Sequence, residues 1–204
     1  MPDDRELRPS EIRRLRALRS PYGVQRLLDD MEYHLADTAW SPRRVLAERT
    51  AHCLEGAVFA AAALRQLGAP PLIVDLEATQ DTDHVIAVYR RAGRWGAVAR
   101  SNFAGLGYRE PVYASLHELV MSYFDQYFNL RGDRTLRAFS QPVDLRLFDD
   151  RAWMVAEGDL WFIPEHLLDI PHTTLFSSTI TRRLHRVGAR CLAAGLVGHR
   201  RHKR

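Results

Sequence analysis

The fold is decided by residues 49–68, which read Arg49-Thr50-Ala51-His52-Cys53-Leu54-Glu55-Gly56-Ala57 and then Val58-Phe59-Ala60-Ala61-Ala62-Ala63-Leu64-Arg65-Gln66-Leu67-Gly68. Apolar residues recur here at the spacing of one helical face, at positions Leu54, Ala57, Val58, Ala61 and Leu64. Gly68 and the following Pro70-Pro71 are typical of a helix end. The stretch therefore predicts a helix that begins near Cys53 and whose many alanines allow a neighbouring layer to approach closely.

Cys53 stands at the predicted start of this helix, where the chemistry of a cysteine changes. The first N–H groups of a helix lack backbone partners and carry the positive end of the helix dipole, and both favour the nucleophilic thiolate. His84 follows 31 residues later, at the start of an apolar run. A histidine near a cysteine can act as its base, so the two residues are a candidate catalytic pair.

Three strands are predicted after the helix, at 72–76, 84–89 and 95–99. The last two are separated by a short segment that contains Gly93, which favours a hairpin. A hairpin brings the start of one strand and the end of the next to the same end of a sheet. Asn102 is therefore expected near His84, where its side-chain carbonyl could accept a hydrogen bond from the imidazole.

The stretch from about residue 46 to 102 resembles the core of the transglutaminase-like superfamily, which shares its fold with papain-type cysteine proteases. The resemblance rests on Cys53 at the start of an Ala-rich helix, the exit from Gly68 to Pro71, the strand from Leu72 to Leu76, the pair Asp83-His84, and Trp95. Residues 103–135, with Gly105, Gly107 and Pro111, resemble a bacterial transglutaminase-like subgroup.

This resemblance implies an α+β, papain-like fold in which the Cys53 helix packs on an antiparallel sheet, with a helical extension before it. It also implies a cysteine-dependent hydrolase or acyl transferase that acts on an amide or peptide bond of a peptide or protein. Ala99 stands where the family usually has Asp, and papain-like enzymes use Asn in that role. The expected catalytic residues are thus Cys53, His84 and Asn102, and hydrolysis is the commoner activity among bacterial members.

The chain divides by composition into a helical lead-in (1–50), the core with its C-terminal extension (51–175) and a basic tail (176–204). Within the core, Ser115 and Glu118 match a capping box for a helix from Ser115 to about Phe128. Eight of the 29 basic residues lie in 182–204, which hold no acid, so the rest of the chain carries 21 basic against 25 acidic residues. A charge block of this kind is usually a solvated, disordered terminus.

Other classes of function find little support in the sequence. No glycine-rich phosphate loop and no metal-ligand spacing is present, and His52, Cys53 and Glu55 match no known zinc pattern, so no cofactor and no metal is expected. No apolar run is long enough to span a bilayer, and the first residues lack the apolar segment of a secretory signal. Two distant cysteines, Cys53 and Cys191, argue against a disulfide framework and for a cytoplasmic protein.

Two alternatives to the enzyme remain open. A catalytically inactive scaffold could bind a peptide or protein partner in the same cleft, and the missing Asp at position 99 favours it. The basic tail could bind a polyanion through salt-sensitive contacts, although it lacks the interleaved aromatic residues that stack on bases, so specific nucleic-acid binding is not expected. Cys191 is interpreted as a small filler residue or an incidental surface thiol.

Overall fold

A computed structural model describes residues 6–200, and within that range the chain forms an antiparallel sheet with helices packed on both of its faces. The first five residues of the predicted lead-in and residues 201–204 of the predicted basic tail lie outside the described part. The helices are α1 Pro9–Arg16, α2 Pro21–Asp29, α3 Pro42–Glu48, α4 Cys53–Gln66, α5 Leu116–Met121, α6 Phe162–Asp169, α7 Ser178–Thr181 and α8 Ala189–Gly195. The strands are β1 Glu32–Tyr33, β2 Thr50–Ala51, β3 Leu72–Ala78, β4 His84–Arg91, β5 Arg94–Val98, β6 Arg109–Tyr113, β7 Leu136–Ser140, β8 Val143–Asp144 and β9 His172–Thr174.

The central sheet has the strand order β6-β5-β4-β3-β7-β9, and β8 pairs with the same edge of β3 as β7 does. The predicted hairpin between β4 and β5 is present, and Arg91 pairs with Arg94 across its turn. Ala92 and Gly93 both have positive φ angles, of 49° and 77°, which is the backbone geometry that two-residue hairpin turns prefer. The strand order therefore puts β4, with His84 at its first position, in the middle of the sheet.

Helix α4 begins at Cys53 as the sequence predicts, but its burial differs from the prediction. A single apolar face was expected, whereas every residue from Leu54 to Leu64 is buried. The reason is that β4 packs on one side of the helix and α1, α2 and α3 pack on the others. The alanines of this helix and Phe59 are all fully buried. Cys53 therefore stands directly before the longest run of buried residues among the described elements.

The second face of the sheet is covered by α5 and the segment that follows it. A continuous helix to about Phe128 was predicted, but α5 ends at Met121 and a short 3-10 turn follows at Phe124–Gln126. Ser115 caps α5 as predicted, since its hydroxyl accepts the N–H of Glu118. The aromatic side chains of this region still form a core, because Tyr123, Tyr127 and Phe128 are buried against the sheet. The break turns Tyr123 and Tyr127 toward the ring of His84.

The segment after residue 176 packs on the protein where a solvated tail was expected. Val187 is buried, and α8 lies against the short 3-10 turn at Ala104–Leu106. Gly195 approaches Phe128 so closely that a Cβ would lie 2.5 Å from the end of the phenyl ring. The chain then runs to Arg200 beside the residues predicted to form the site. Among the described helices, none combines the length and the apolar character that a membrane crossing requires.

Candidate active site

The three predicted site residues line one cavity, of about 870 Å³, at the edge of the sheet where β4 begins. Cys53 enters it from the start of α4, His84 from the start of β4, and Asn102 from the segment after β5. Tyr33 lines the same cavity from β1, and Arg200 lines it from the segment after α8. The register of the hairpin explains the grouping, because Ala87 pairs with Val98 and so brings residues 84 and 101–102 to one end of the sheet.

Cys53 is partly exposed and is a free cysteine that forms no disulfide. Its sulfur lies 3.9 Å from the carbonyl oxygen of Asp83, to which the S–H donates a weak hydrogen bond. Burial raises the pKa of the Cys53 thiol, and the backbone N–H groups of Val85 and Leu54 beside the sulfur lower it by less. The expectation that the helix start produces a resting thiolate is therefore corrected, since desolvation outweighs the N–H groups and the resting group is a thiol.

His84 is buried, with 3% of its surface exposed, and its ring is held at one nitrogen. Nε2 lies 3.0 Å from the carbonyl oxygen of Leu106. Because a carbonyl can only accept, Nε2 carries the proton and Nδ1 keeps its lone pair. The pKa of His84 is lowered to about 4, mainly by burial and to a smaller extent by the charge of Arg109, while the hydrogen bond to the Leu106 carbonyl acts in the opposite direction. His84 is thus a neutral imidazole at neutral pH, with a nitrogen able to accept a proton.

Two tyrosines pack edge-on against the imidazole and limit its rotation. The rings of Tyr123 and Tyr127 each lie 6.3 Å from the His84 ring, centroid to centroid. The hydroxyl of Tyr127 donates to the carbonyls of Leu76 and Thr82, at 3.2 and 2.9 Å, and so ties the loop between β3 and β4 to the same aromatic layer. The orientation of His84 is therefore fixed by packing as well as by the Leu106 carbonyl.

Asn102 lines the cavity, but its side chain forms hydrogen bonds with Arg200. Its amide nitrogen donates to the carbonyl of Arg200 and its amide oxygen accepts the backbone N–H of Arg200, both at 2.8 Å. The hydrogen bond expected between Asn102 and His84 is replaced by the bond from His84 to Leu106. The structure thus brings Cys53, His84 and Asn102 to one cavity. The hydrogen bond from the His84 ring that was predicted for Asn102 is accepted by the carbonyl of Leu106.

A buried carboxylate fixes the backbone beside Cys53. Glu55 is fully buried and accepts the hydroxyl of Thr38 at 2.6 Å, a ring nitrogen of His34 at 3.0 Å and the backbone N–H of His52 at 3.1 Å. Burial alone would raise its pKa, but the charge of His52 and the hydrogen bonds from Thr38 and His34 hold the pKa below its ordinary value. Glu55 is saturated by protein donors, so it anchors the chain before Cys53 to the first turn of α4.

Sequence reasoning missed Tyr33, which reaches the cavity through a two-residue strand. β1 pairs in parallel with β2, which sets Tyr33 opposite Ala51, two residues before Cys53. Burial raises the pKa of the Tyr33 hydroxyl, the Cys53 sulfur raises it further, and the backbone N–H of Cys53 lowers it. Strands of two residues have no alternating pattern, and a backbone carbonyl such as that of Leu106 leaves no mark in a sequence, so neither contact could be found from it.

The sequence matches no model of a known protein family and no curated protein.

Proposed function

We propose that the protein is a cysteine-dependent hydrolase or acyl transferase that acts on an amide or peptide bond. The observation that carries this proposal is the state of the pair in the cavity: a thiol on Cys53 and a neutral His84 whose Nε2 proton is held by Leu106. A nucleophile and a base with its lone pair available are the two groups that acyl transfer requires.

The proposed reaction follows from that resting state. As the Cys53 sulfur attacks the carbonyl carbon of the substrate, Nδ1 of His84 takes the thiol proton, so His84 becomes charged only during the reaction. The same proton passes to the leaving nitrogen when the C–N bond breaks, which leaves a thioester on Cys53. Water or an amine then attacks the thioester with His84 again accepting a proton, and Cys53 returns as a thiol.

The oxygen of the reacting carbonyl needs donors as negative charge develops on it. The backbone N–H of Cys53 is at the start of α4, where the N–H groups have no partner within the helix. Such groups stabilise an oxyanion most where water is excluded. Tyr33, whose hydroxyl lies beside this N–H group, covers the same point from β1.

The papain-like, transglutaminase-like core is part of this proposal. It is supported by the order of elements, since a helix that begins at the cysteine is followed by a strand that begins at the histidine, within an antiparallel sheet. In that comparison the role of the third residue passes from Asn102 to the carbonyl of Leu106. The substrate class, a peptide or protein amide, comes from the same resemblance.

Product formation from a library of short peptides and peptide amides, followed by mass spectrometry, tests the proposed activity. Cys53→Ser should abolish turnover, and His84→Ala should lower kcat by roughly a hundredfold or more, as expected for loss of a general base. Cys191→Ser is the matched control, because it removes the other thiol, which does not line the cavity, and it should leave turnover unchanged. Turnover that survives Cys53→Ser would reject the proposal.

A catalytically inactive scaffold is the second candidate, and a specific observation favours it. Burial shifts the pKa values of Cys53 and His84 away from an ion pair, and Asn102 is held by Arg200. A scaffold of this kind would bind peptides in the cavity without reacting. It predicts that Cys53→Ser leaves peptide affinity unchanged while no member of the library is converted by the wild-type protein.

A further inference from the structure

The contact between Asn102 and Arg200 has the form of peptide recognition. The side-chain amide of Asn102 bonds both the backbone N–H and the backbone carbonyl of Arg200, with two hydrogen bonds of 2.8 Å. A side-chain amide carries one acceptor oxygen and an NH₂ donor, so it matches the polar groups of a peptide backbone without regard to the side chain. Asn102 therefore recognises a main chain, and the C-terminal segment supplies that main chain here.

The side chain of Arg200 is recognised separately. Its guanidinium donates to the carboxylate of Glu32 at 2.8 Å and to the carbonyl of Tyr33 at 3.2 Å. A carboxylate and a carbonyl oxygen together form an acceptor pair that suits a basic side chain. The main chain and the side chain of Arg200 are thus held by three residues, of which Asn102 and Tyr33 line the cavity and Glu32 precedes Tyr33 in β1.

We infer that Asn102, Glu32 and Tyr33 form a binding subsite for a basic residue of a peptide, and that the chain's own C-terminal segment occupies this subsite. Asn102, Tyr33 and Arg200 line the same cavity as Cys53 and His84. A peptide bound in place of Arg200 therefore runs along the cavity that contains the thiol. The occupied subsite also explains why Asn102 is turned away from His84.

The surroundings support an occupant that can be exchanged. Glu32 and Arg200 are largely exposed, with 77% and 45% of their side-chain surfaces accessible, so their ion pair is weak. In the segment before Arg200, Val197 is 71% exposed, and the ring of His199 packs edge-on against Phe103. A second peptide of the same sequence can therefore enter the subsite, but it competes with an attached segment whose effective concentration is high, so its affinity should rise when the internal contact is weakened.

Peptide binding by full-length variants tests the inference. The probe is a fluorescein-labelled peptide with the sequence of residues 197–204, and all proteins carry Cys53→Ser so that only binding is measured. Arg200→Glu weakens the internal contact and should make the subsite available, so the probe should bind at least about tenfold more tightly than to the protein with Arg200, which is the factor expected from one or two hydrogen bonds. Arg200→Ala should change affinity in the same direction.

Three controls separate the subsite from general attraction between charges. Arg190→Glu makes the same charge change on an exposed residue of α8 and should leave affinity unchanged. Asn102→Ala combined with Arg200→Glu should remove the gain, and so should a probe with Glu at the position of Arg200. Equal affinity with and without Arg200, or a gain that survives Asn102→Ala, would overturn the inference.

The inference rests on the proposed function only in taking peptides as the ligands of the cavity, and the two fail in different ways. Binding that follows Asn102 and Arg200 as described, without any turnover of peptides by the protein with Cys53, supports the subsite and rejects the catalytic proposal. Turnover that depends on Cys53 and His84, without the expected changes in peptide affinity, supports catalysis and rejects the subsite.

Discussion

The cavity has two walls that are stabilised in different ways. The first, called here the catalytic wall because the proposed nucleophile and base lie on it, consists of the starts of α4 and β4 with Cys53 and His84, and buried apolar residues on both faces of the sheet stabilise it. The second, the C-terminal wall, is residues 196–200, which are attached to Asn102 and Glu32 by exposed hydrogen bonds and one exposed ion pair, and to Phe103 by the ring of His199. Buried packing contributes several kcal/mol per large side chain, whereas an exposed ion pair contributes about 1 kcal/mol or less. This difference predicts that the C-terminal wall can move while the catalytic wall stays folded.

The largest expected effect is on folding stability, which should differ between substitutions in the two walls. Phe59→Ala removes a fully buried ring from the centre of α4, and we expect it to lower the free energy of unfolding by about 3–5 kcal/mol. Val197→Ala is the matched substitution in the C-terminal wall. It should change the free energy of unfolding by less than about 0.5 kcal/mol, because the Val197 side chain is 71% exposed. Urea denaturation measures both. Similar losses in the two variants would contradict the division into two walls.

The pH dependence of stability tests how His84 is buried in the catalytic wall. Its pKa is about 4 in the folded protein, below the ordinary value of 6.5, so the unfolded state binds more protons between these values. Stability should therefore be constant with respect to His84 above pH 6.5 and fall as the pH drops toward 4. The loss is at most about 3 kcal/mol, since one pKa unit corresponds to about 1.4 kcal/mol. His84→Gln should reduce this slope, and an unchanged slope would show that His84 is not buried as a neutral ring.

Alkylation of Cys53 tests the resting state of the thiol in the same wall. Burial raises its pKa, so the pH midpoint of its reaction with iodoacetamide should lie above the value of about 8.5 for a free cysteine. The variant Cys191→Ser leaves Cys53 as the one thiol, and the same variant unfolded in urea provides the reference midpoint. A native midpoint below the unfolded one would mean that a thiolate–imidazolium pair already exists in the resting protein.

The smallest effect is expected in the C-terminal wall. Asn102→Ala removes two exposed hydrogen bonds to Arg200 and should cost about 1 kcal/mol or less in the free energy of unfolding. It should nevertheless speed cleavage by trypsin after Arg200, because the bonded backbone becomes accessible. Ser177→Ala, which changes a residue whose side chain makes no capping bond to α7, is the control for cleavage elsewhere in the segment. Unchanged cleavage after Arg200 would show that Asn102 does not retain this wall.

The catalytic wall could be predicted from the sequence in most respects. Cys53 at a helix start, His84 at a strand start and the hairpin after it are marked by local patterns of apolar residues and by glycine. The interaction partner of the imidazole could not be predicted, because the carbonyl of Leu106 belongs to the backbone and any residue would supply it. The prediction of a thiolate on Cys53 differs from the structure for a related reason, because desolvation of the sulfur depends on the residues that cover the helix start.

The C-terminal wall could hardly be predicted at all. The high charge of the segment that contains it suggested a solvated tail, yet Gly195 and Val187 of that segment pack on the core and Arg200 contacts Asn102. Contacts between residues 98 positions apart have no local signature. The helix predicted to run to about Phe128 failed similarly, because the tertiary contacts of Tyr123 and Tyr127 override the helical spacing of the aromatic residues.

The most direct test of the central claim is the acylation of Cys53. The full-length protein is mixed with a peptide thioester, quenched at increasing times, and analysed by intact mass and peptide mapping. The Cys53–His84 pair predicts one acyl group per chain, on Cys53 and not on Cys191, formed roughly a hundredfold or more slowly in His84→Ala. Equal rates with and without His84, or equal labelling of the two cysteines, would contradict the assignment of Cys53 and His84 as nucleophile and base.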